Sequence, residues 1–239
     1  MVRGARDFGT VAARTLTTPV LDLGELAVRL GSPISFDRQG TVLAFLQGDA
    51  IQGRLRSIFG SGARIDAIAG EGFTSGYAWR TFSNVDGDSA YMLLQIPYIG
   101  DAPSGVEAVF RLGTGTGFRF DVIVVLDDAD GGHQGQVSFD SSTGNVRYIN
   151  GAGNLTDTPT QPTVIRTPTW QYVKVVSDPA DNTYVRALWN GEDLGLAGIA
   201  AYTFVTTARQ LGAQVGIDAL SSVSNEAWID SVAITVNED

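Results

Sequence analysis

The sequence predicts an all-β protein, two antiparallel sheets packed face to face as a sandwich. Three observations carry this reading. First, residues 170–189 form a paired-strand unit. Trp170-Gln171-Tyr172-Val173-Lys174-Val175-Val176 is rich in aromatic and β-branched residues, which suit a pleated, half-buried surface. Asp178, Pro179, Asp181 and Asn182 make a turn cluster, and the run Thr183-Tyr184-Val185-Arg186-Ala187-Leu188-Trp189 ends at Asn190-Gly191. Asn-Gly favours a type I′ turn, whose two central residues need positive φ, so a third strand should follow. Second, the 170–176 run is apolar on both faces, with Val173 and Val175 on one and Trp170, Tyr172 and Val176 on the other. A strand enclosed on both sides belongs inside a pair of sheets. Third, turn signals recur every ~8–12 residues with little helical periodicity, as a sandwich requires.

The elements follow in order. Residues 1–20 read as a basic arm in which Arg3, Arg6 and Arg14 oppose only Asp7. Residues 22–31 read as the one short helix. Asp22 suits the N-cap with Glu25 three positions on, and Leu23, Leu26, Ala27 and Leu30 form one apolar stripe. Gly31 and Pro33 end it. A helix this short needs docking, either on its own sandwich or on a neighbouring subunit. The sandwich should begin at 41–46. Residues 47–76, interrupted by Gly48, Gly53, Gly60, Gly62, Gly70, Gly72 and Gly76, predict loops with short strands, one over 64–69. Strands are then expected at 77–82, 89–96, 105–112, 118–126, 135–140, 145–149, 214–217 and 227–236, beside the central pair. Residues 150–169 should form a longer connection. The domain reading is an arm over 1–40 and a sandwich over 41–239.

Composition excludes several functions. At 239 residues the chain suits one large β domain, and 44% apolar residues support a core. There is no Cys, so no disulfide and no thiolate zinc site. A Ser-His-Asp triad would depend on the single His133. A net charge of −10 argues against a nucleic-acid partner, which needs clustered cations. No apolar run reaches the ~18–20 residues of a membrane span. The first residues do not read as a signal peptide. No cofactor and no metal are expected.

The Trp170-x-x-Val173-Lys174-Val175 run, the Asn190-Gly191 turn and Trp228-Ile229-Asp230-Ser231-Val232 resemble the concanavalin A-like (laminin G-like) jelly roll. Phe139-Asp140-Ser141-Ser142-Thr143-Gly144-Asn145-Val146 resembles the strand-turn-strand before that family's central pair. The resemblance covers about residues 41–236 and implies a jelly roll. The front of the chain, Leu21 to Ser32 with Phe36-Asp37-Arg38-Gln39-Gly40, is similar to the leader of lectin-like virion structural proteins of tailed bacteriophages. Many jelly rolls of this family pair an acidic residue after a Phe with an Asp of the last strand around calcium. Here Phe45-Leu46-Gln47-Gly48 carries no such acid, while Asp230 remains.

Glycosidases of this fold resemble one another in a Glu-x-Asp-x-Glu strand, whose alternation puts carboxylates on one face. No such run occurs. Asp127-Asp128-Ala129-Asp130 reads as a solvated turn. Gly113-Thr114-Gly115-Thr116-Gly117 reads as a hairpin turn, and His133 as an exposed turn residue. Trp170 and Trp228 are expected in the core, and Trp189 near the turn is the candidate sugar platform. The sequence-level expectation is therefore not an enzyme and no catalytic residue. It is a virion structural protein, a phage capsid decoration protein or a tail component. It would dock through Arg3, Arg6, Arg14, Leu23, Leu26 and Leu30 on a major capsid protein or other virion protein, as a homo-oligomer, assembled in the host cytoplasm. The alternative is a carbohydrate-binding module, or a glycoside hydrolase of the same fold. A binding module would need aromatic and amide side chains gathered on one sheet.

Overall fold

The structure, a computed structural model, describes residues 41–47, 56–73, 76–97, 100–127, 131–163, 165, 167–206 and 208–238. The expected arm, helix and docking residues Arg3, Arg6, Arg14, Leu23, Leu26 and Leu30 lie outside them. The described residues form two antiparallel sheets of eight strands each.

The first sheet contains β1 (Thr41–Gln47), β3 (Arg64–Ala69), β4 (Tyr77–Ser83), β6 (Ser104–Leu112), β11 (Trp170–Asp178), β12 (Thr183–Trp189), β13 (Glu192–Asp193) and β16 (Asn225–Val236). Its order is β13-β12-β11-β6-β16-β4-β3, with β1 also on β16. The long β16 pairs with β4 over its first half and β1 over its second, and carries a bulge between Ile229 and Ser231. The second sheet contains β2 (Arg56–Phe59), β5 (Ser89–Pro97), β7 (Phe118–Asp127), β8 (Gly132–Asp140), β9 (Asn145–Ile149), β10 (Leu155–Asp157), β14 (Tyr202–Phe204) and β15 (Gln210–Ala219). Its order is β10-β9-β8-β7-β15-β5-β2, with β14 on β8.

The central pair forms as its residues dictate. Asn190 and Gly191 take φ of 50° and 84°, the positive values a type I′ turn needs. Asn190 is held to Tyr172 by two bonds, donating its N–H to the Tyr172 carbonyl and accepting the Tyr172 N–H at Oδ1. Between the sheets Phe110 stacks on Phe120 at 4.2 Å, and Trp189 meets Phe110 edge-on at 5.4 Å. Tyr184 reaches from the first sheet into the second. Its hydroxyl accepts the Gln136 N–H at 2.9 Å and donates to the Ile149 carbonyl at 2.8 Å. Gly135 makes room for it, since a Cβ there would lie 3.0 Å from Val124, 3.1 Å from Ser177 and 3.4 Å from Tyr184.

Several expectations are corrected. Trp189 is no platform: it is fully buried and donates its indole N–H to Gln171 at 2.8 Å. Trp170 and Trp228 are half-buried on the outer face of the first sheet, because both pair across the ladder with Arg111. Its guanidinium sits 4.2 Å from the Trp228 ring and 5.4 Å from that of Trp170. The Gly113–Gly117 segment is not a hairpin turn but the crossing from β6 in one sheet to β7 in the other. His133 lies on β8, opposite Leu126 and Thr203. The strand expected at 214–217 runs from Gln210 to Ala219. The glycines of β15 interrupt the apolar pattern that would have revealed its length.

Replacing Tyr184 by Phe leaves the Gln136 N–H and Ile149 carbonyl without this partner in the interior. The variant should be less stable by ~1–3 kcal/mol, read from denaturant unfolding; an unchanged midpoint would show that the hydroxyl does not tie the sheets.

Candidate functional site

Alternation along each strand gives the second sheet an inner and an outer face. On β7 the inner set is Phe118, Phe120, Val122, Val124 and Leu126, and the outer set is Arg119, Asp121, Ile123, Val125 and Asp127. Register carries this face onto the neighbouring strands. Gln95 of β5, Gln210 and Gln214 of β15, and Gln134 and Gln136 of β8 place five carboxamides on it. β14 adds Tyr202 opposite Gln134 and Phe204 opposite Gly132. Tyr91, Ile123 and Val125, with Leu93 and Phe204, form an apolar patch on the same side.

Two glycines shape the middle of this face. Gly216 stands between Tyr91 and Asp121 in one cross-strand row. With no side chain between them, the Tyr91 hydroxyl crosses β15 and donates to Asp121 Oδ2 at 2.5 Å. A Cβ on Gly216 would fall 2.1 Å from the Ala90 carbonyl oxygen, so a larger residue cannot enter without moving backbone. Gly212 is different. A Cβ there meets only Gln95 and the Leu94 carbonyl, at 3.6 and 3.7 Å. Gly212, though buried, thus leaves a notch with room for a Cβ between Gln95 and Val125, bordered by Gln210 and Gln214.

Asp121 is wholly buried and is satisfied by convergence. Arg119 Nε donates to it at 2.9 Å, Gln136 Nε2 at 3.0 Å, and Tyr91 as above. Gln136 also donates to Ser138 at 2.8 Å and accepts from Gln134 at 2.8 Å. Arg119 bonds Asp218 through Nη2. Removing one partner from a buried ion pair typically costs ~3–5 kcal/mol. Burial pushes the Tyr91 phenol well above its usual range, and Asp121 and Asp218 push it further, so it stays a donor. Burial alone would lower Arg119, but Asp121 and Asp218 outweigh it and raise it. Asp218 is raised from its ordinary 3.8, first by burial and then by Asp121. Its side chain keeps 24% exposure. This end of the face therefore offers an accessible carboxyl that holds its proton more tightly than an ordinary aspartate.

At the opposite end, Asp127 closes β7. Oδ2 accepts from Gln210 at 2.9 Å. The sequence reading of a solvated turn is corrected for Asp127, which is buried because it pairs with Gln210 and Gly132 inside the sheet; Asp128 and Asp130 lie outside the described residues. Asp230, the residue related to a calcium site by resemblance, is buried and accepts the Phe73 N–H at 2.7 Å.

Reading missed this face because its members are scattered. Asp121, Gln136, Tyr91 and Asp218 lie on four strands. The one local signal was Gln210-x-Gly212-x-Gln214-x-Gly216-x-Asp218, a period-two row of polar residues and glycines.

No family model and no curated protein matches this chain. Solved structures do. The chain is similar to the cellulose induced protein Cip1, with TM-score 0.57 and 13% identity over 81% of this chain and 97% of that one. It is similar to a conserved carbohydrate esterase of the Shiga toxin-encoding bacteriophage phi24B, with TM-score 0.51 and 16% identity over 83% and 100%. It also resembles a structure from work on endo-acting O-glycanases of the human gut microbiota, with TM-score 0.55 and 8% identity over 82% and 99%. The shared feature is the fold alone, a two-sheet antiparallel jelly-roll sandwich. The expectation that the chain is not an enzyme is overturned here, since structures of this fold include a carbohydrate esterase and one from O-glycanase work. The physical reason is that searching for one acidic run tests a single strand. The fold assembles groups from several, as with Asp121 of β7 and Asp218 of β15.

Because its folded-state pKa is raised, Asp218 favours the folded state when protonated. That contribution is present below pH 3.8 and is lost as pH rises through the raised value. A carboxyl titration by NMR should give Asp218 a midpoint above 3.8, and Asp121→Asn should lower it. A wild-type midpoint at or below 3.8 contradicts the assignment.

Proposed function

We propose that this chain is a carbohydrate-binding jelly-roll domain whose glycan lies on the outer face of the second sheet, across β15. One observation carries the reading: five carboxamides, the Phe204 and Tyr202 rings and the notch at Gly212 share that face. Sugars present apolar C–H faces and hydroxyl edges together. A surface of apolar side chains with a few fixed polar groups is matched to them, and carboxamides serve hydroxyls as both donors and acceptors. The likeness to carbohydrate-related structures of the same fold supports the reading.

A second reading, glycan cleavage, is favoured by Asp218. A raised and accessible carboxyl is the group from which a leaving oxygen takes its proton. Release of reducing ends from a bound polysaccharide, lost in Asp218→Asn, would support it; a bound polysaccharide left intact by the wild type would count against it. Attachment to a phage particle through residues 1–40 is a separate proposal, resting on the leader resemblance and the arm's arginines. Deleting residues 1–31 should leave a folded β sandwich by circular dichroism that no longer joins particles or oligomers. Normal assembly of the truncated chain would refute it.

The test of binding is affinity electrophoresis against xylan, mannan, β-1,3-glucan and mucin, with a pull-down on cellulose. At least one should retard or retain the wild type. Gly212→Val, whose Cβ would lie 3.6 and 3.7 Å from its nearest neighbours, should weaken that interaction about tenfold or more, about 1.4 kcal/mol, with an unchanged thermal midpoint. No interaction with any of them, or an unaffected variant, would refute the placement.

A further inference from the structure

We propose that Asp127 selects the ligand, supplying a buried acceptor for a free sugar hydroxyl in a subsite walled by Phe204. This rests on the reading of the outer face as glycan-binding and adds to it a chemical requirement. Asp127 is only 3% exposed. Its Oδ2 accepts from Gln210 at 2.9 Å, but its Oδ1 is buried with no hydrogen-bond partner. Buried polar atoms are nearly always paired, and each exception calls for an explanation. A carboxylate on a ligand-facing sheet, anchored through one oxygen and unpaired at the other, marks where an outside donor belongs.

The surroundings specify that donor. Gln210, Asp127, Gly132 and Phe204 are consecutive partners across four strands. Gly132 gives the Phe204 ring its place, since a Cβ would fall 2.4 Å from it. The ring therefore lies over the β8 backbone, next to the row position of Asp127. Tyr202 stacks on it with centroids 5.9 Å apart and planes 23° apart. An aromatic ring beside a lone acceptor fits a sugar that lays its C–H face on the ring and points a hydroxyl at the carboxylate. An ionised carboxylate only accepts. The site thus takes neutral sugars with an unsubstituted hydroxyl at this position. It disfavours an O-alkylated one, which has lost the proton, and a carboxylated one, which repels Asp127.

Asp127→Asn tests this with little change of shape. The carboxamide oxygen keeps the Gln210 bond, which turns the NH2 toward the ligand, so the sugar hydroxyl can no longer donate there and loses its carboxylate acceptor. The probe is the polysaccharide of the above panel that binds the wild type, together with its O-methylated form. Asp127→Asn should bind the unmodified polymer about tenfold or more weakly, with a thermal midpoint no lower than that of the wild type. Phe204→Leu should weaken binding similarly. Methylation should weaken the wild type and leave Asp127→Asn no worse than before. If Asp127→Asn binds as the wild type does while Gly212→Val does not, the face binds glycan but Asp127 reads no hydroxyl, and this inference alone falls. A marked loss of stability in Asp127→Asn would show Oδ1 engaged internally and would overturn it too. If the wild type binds nothing in the panel, the parent reading fails and this one with it.

Discussion

The structure depends on making Asp121 tolerable. A carboxyl group with no solvent access is costly unless several donors meet it. Here they come from different places: Arg119 two residues away on the same strand, Gln136 on the adjacent β8, and Tyr91 from two strands off. Tyr91 can arrive only because Gly216 leaves the intervening position empty. Gln136 is fixed through its own backbone N–H, which the Tyr184 hydroxyl holds from the opposite sheet. One polar network thus ties the inter-sheet core to the outer face, and the side chains on that face are held by bonds that reach the interior.

The two outer faces differ in what they leave available. On the first sheet, Asp66, Arg80, Trp228, Arg111 and Trp170 form one row across five strands. Its charges pair internally, Arg80 with Asp66 and Arg111 with Glu71, and its Trp rings are taken up by Arg111. Near its other end, Lys174 is buried between Glu107 and Glu238, at 3.0 and 2.8 Å. The second sheet presents amides, the Phe204 ring and one unpaired carboxylate oxygen together. That combination is why the proposed ligand face is on the second sheet, although the first holds the more conspicuous aromatics.

The architecture was legible because it rests on local chemistry. Asn190-Gly191 encodes its turn outright, and the β-branched and aromatic runs at β7, β11 and β16 encode their strands. Short edge strands such as β2 and β14 were not visible, since three or four residues carry too little period to stand out. The tryptophans were misassigned for a clear reason: burial of a large ring depends on its cross-strand neighbour, and Arg111 is far from both Trp170 and Trp228 in sequence. The candidate site was hidden likewise. A search for paired carboxylates along one strand could not find Asp121 and Asp218, which meet only through the β7–β15 register.

The central claim is that ligand contact belongs to the outer face of the second sheet. Amide hydrogen exchange, with and without the polysaccharide that the protein binds, tests it most directly. The account predicts added protection concentrated in β14, the Gly212 region of β15 and the Asp127 end of β7, with β3, β4 and β16 unchanged. Protection centred instead on the Trp170, Arg111 and Trp228 row of the first sheet would contradict it.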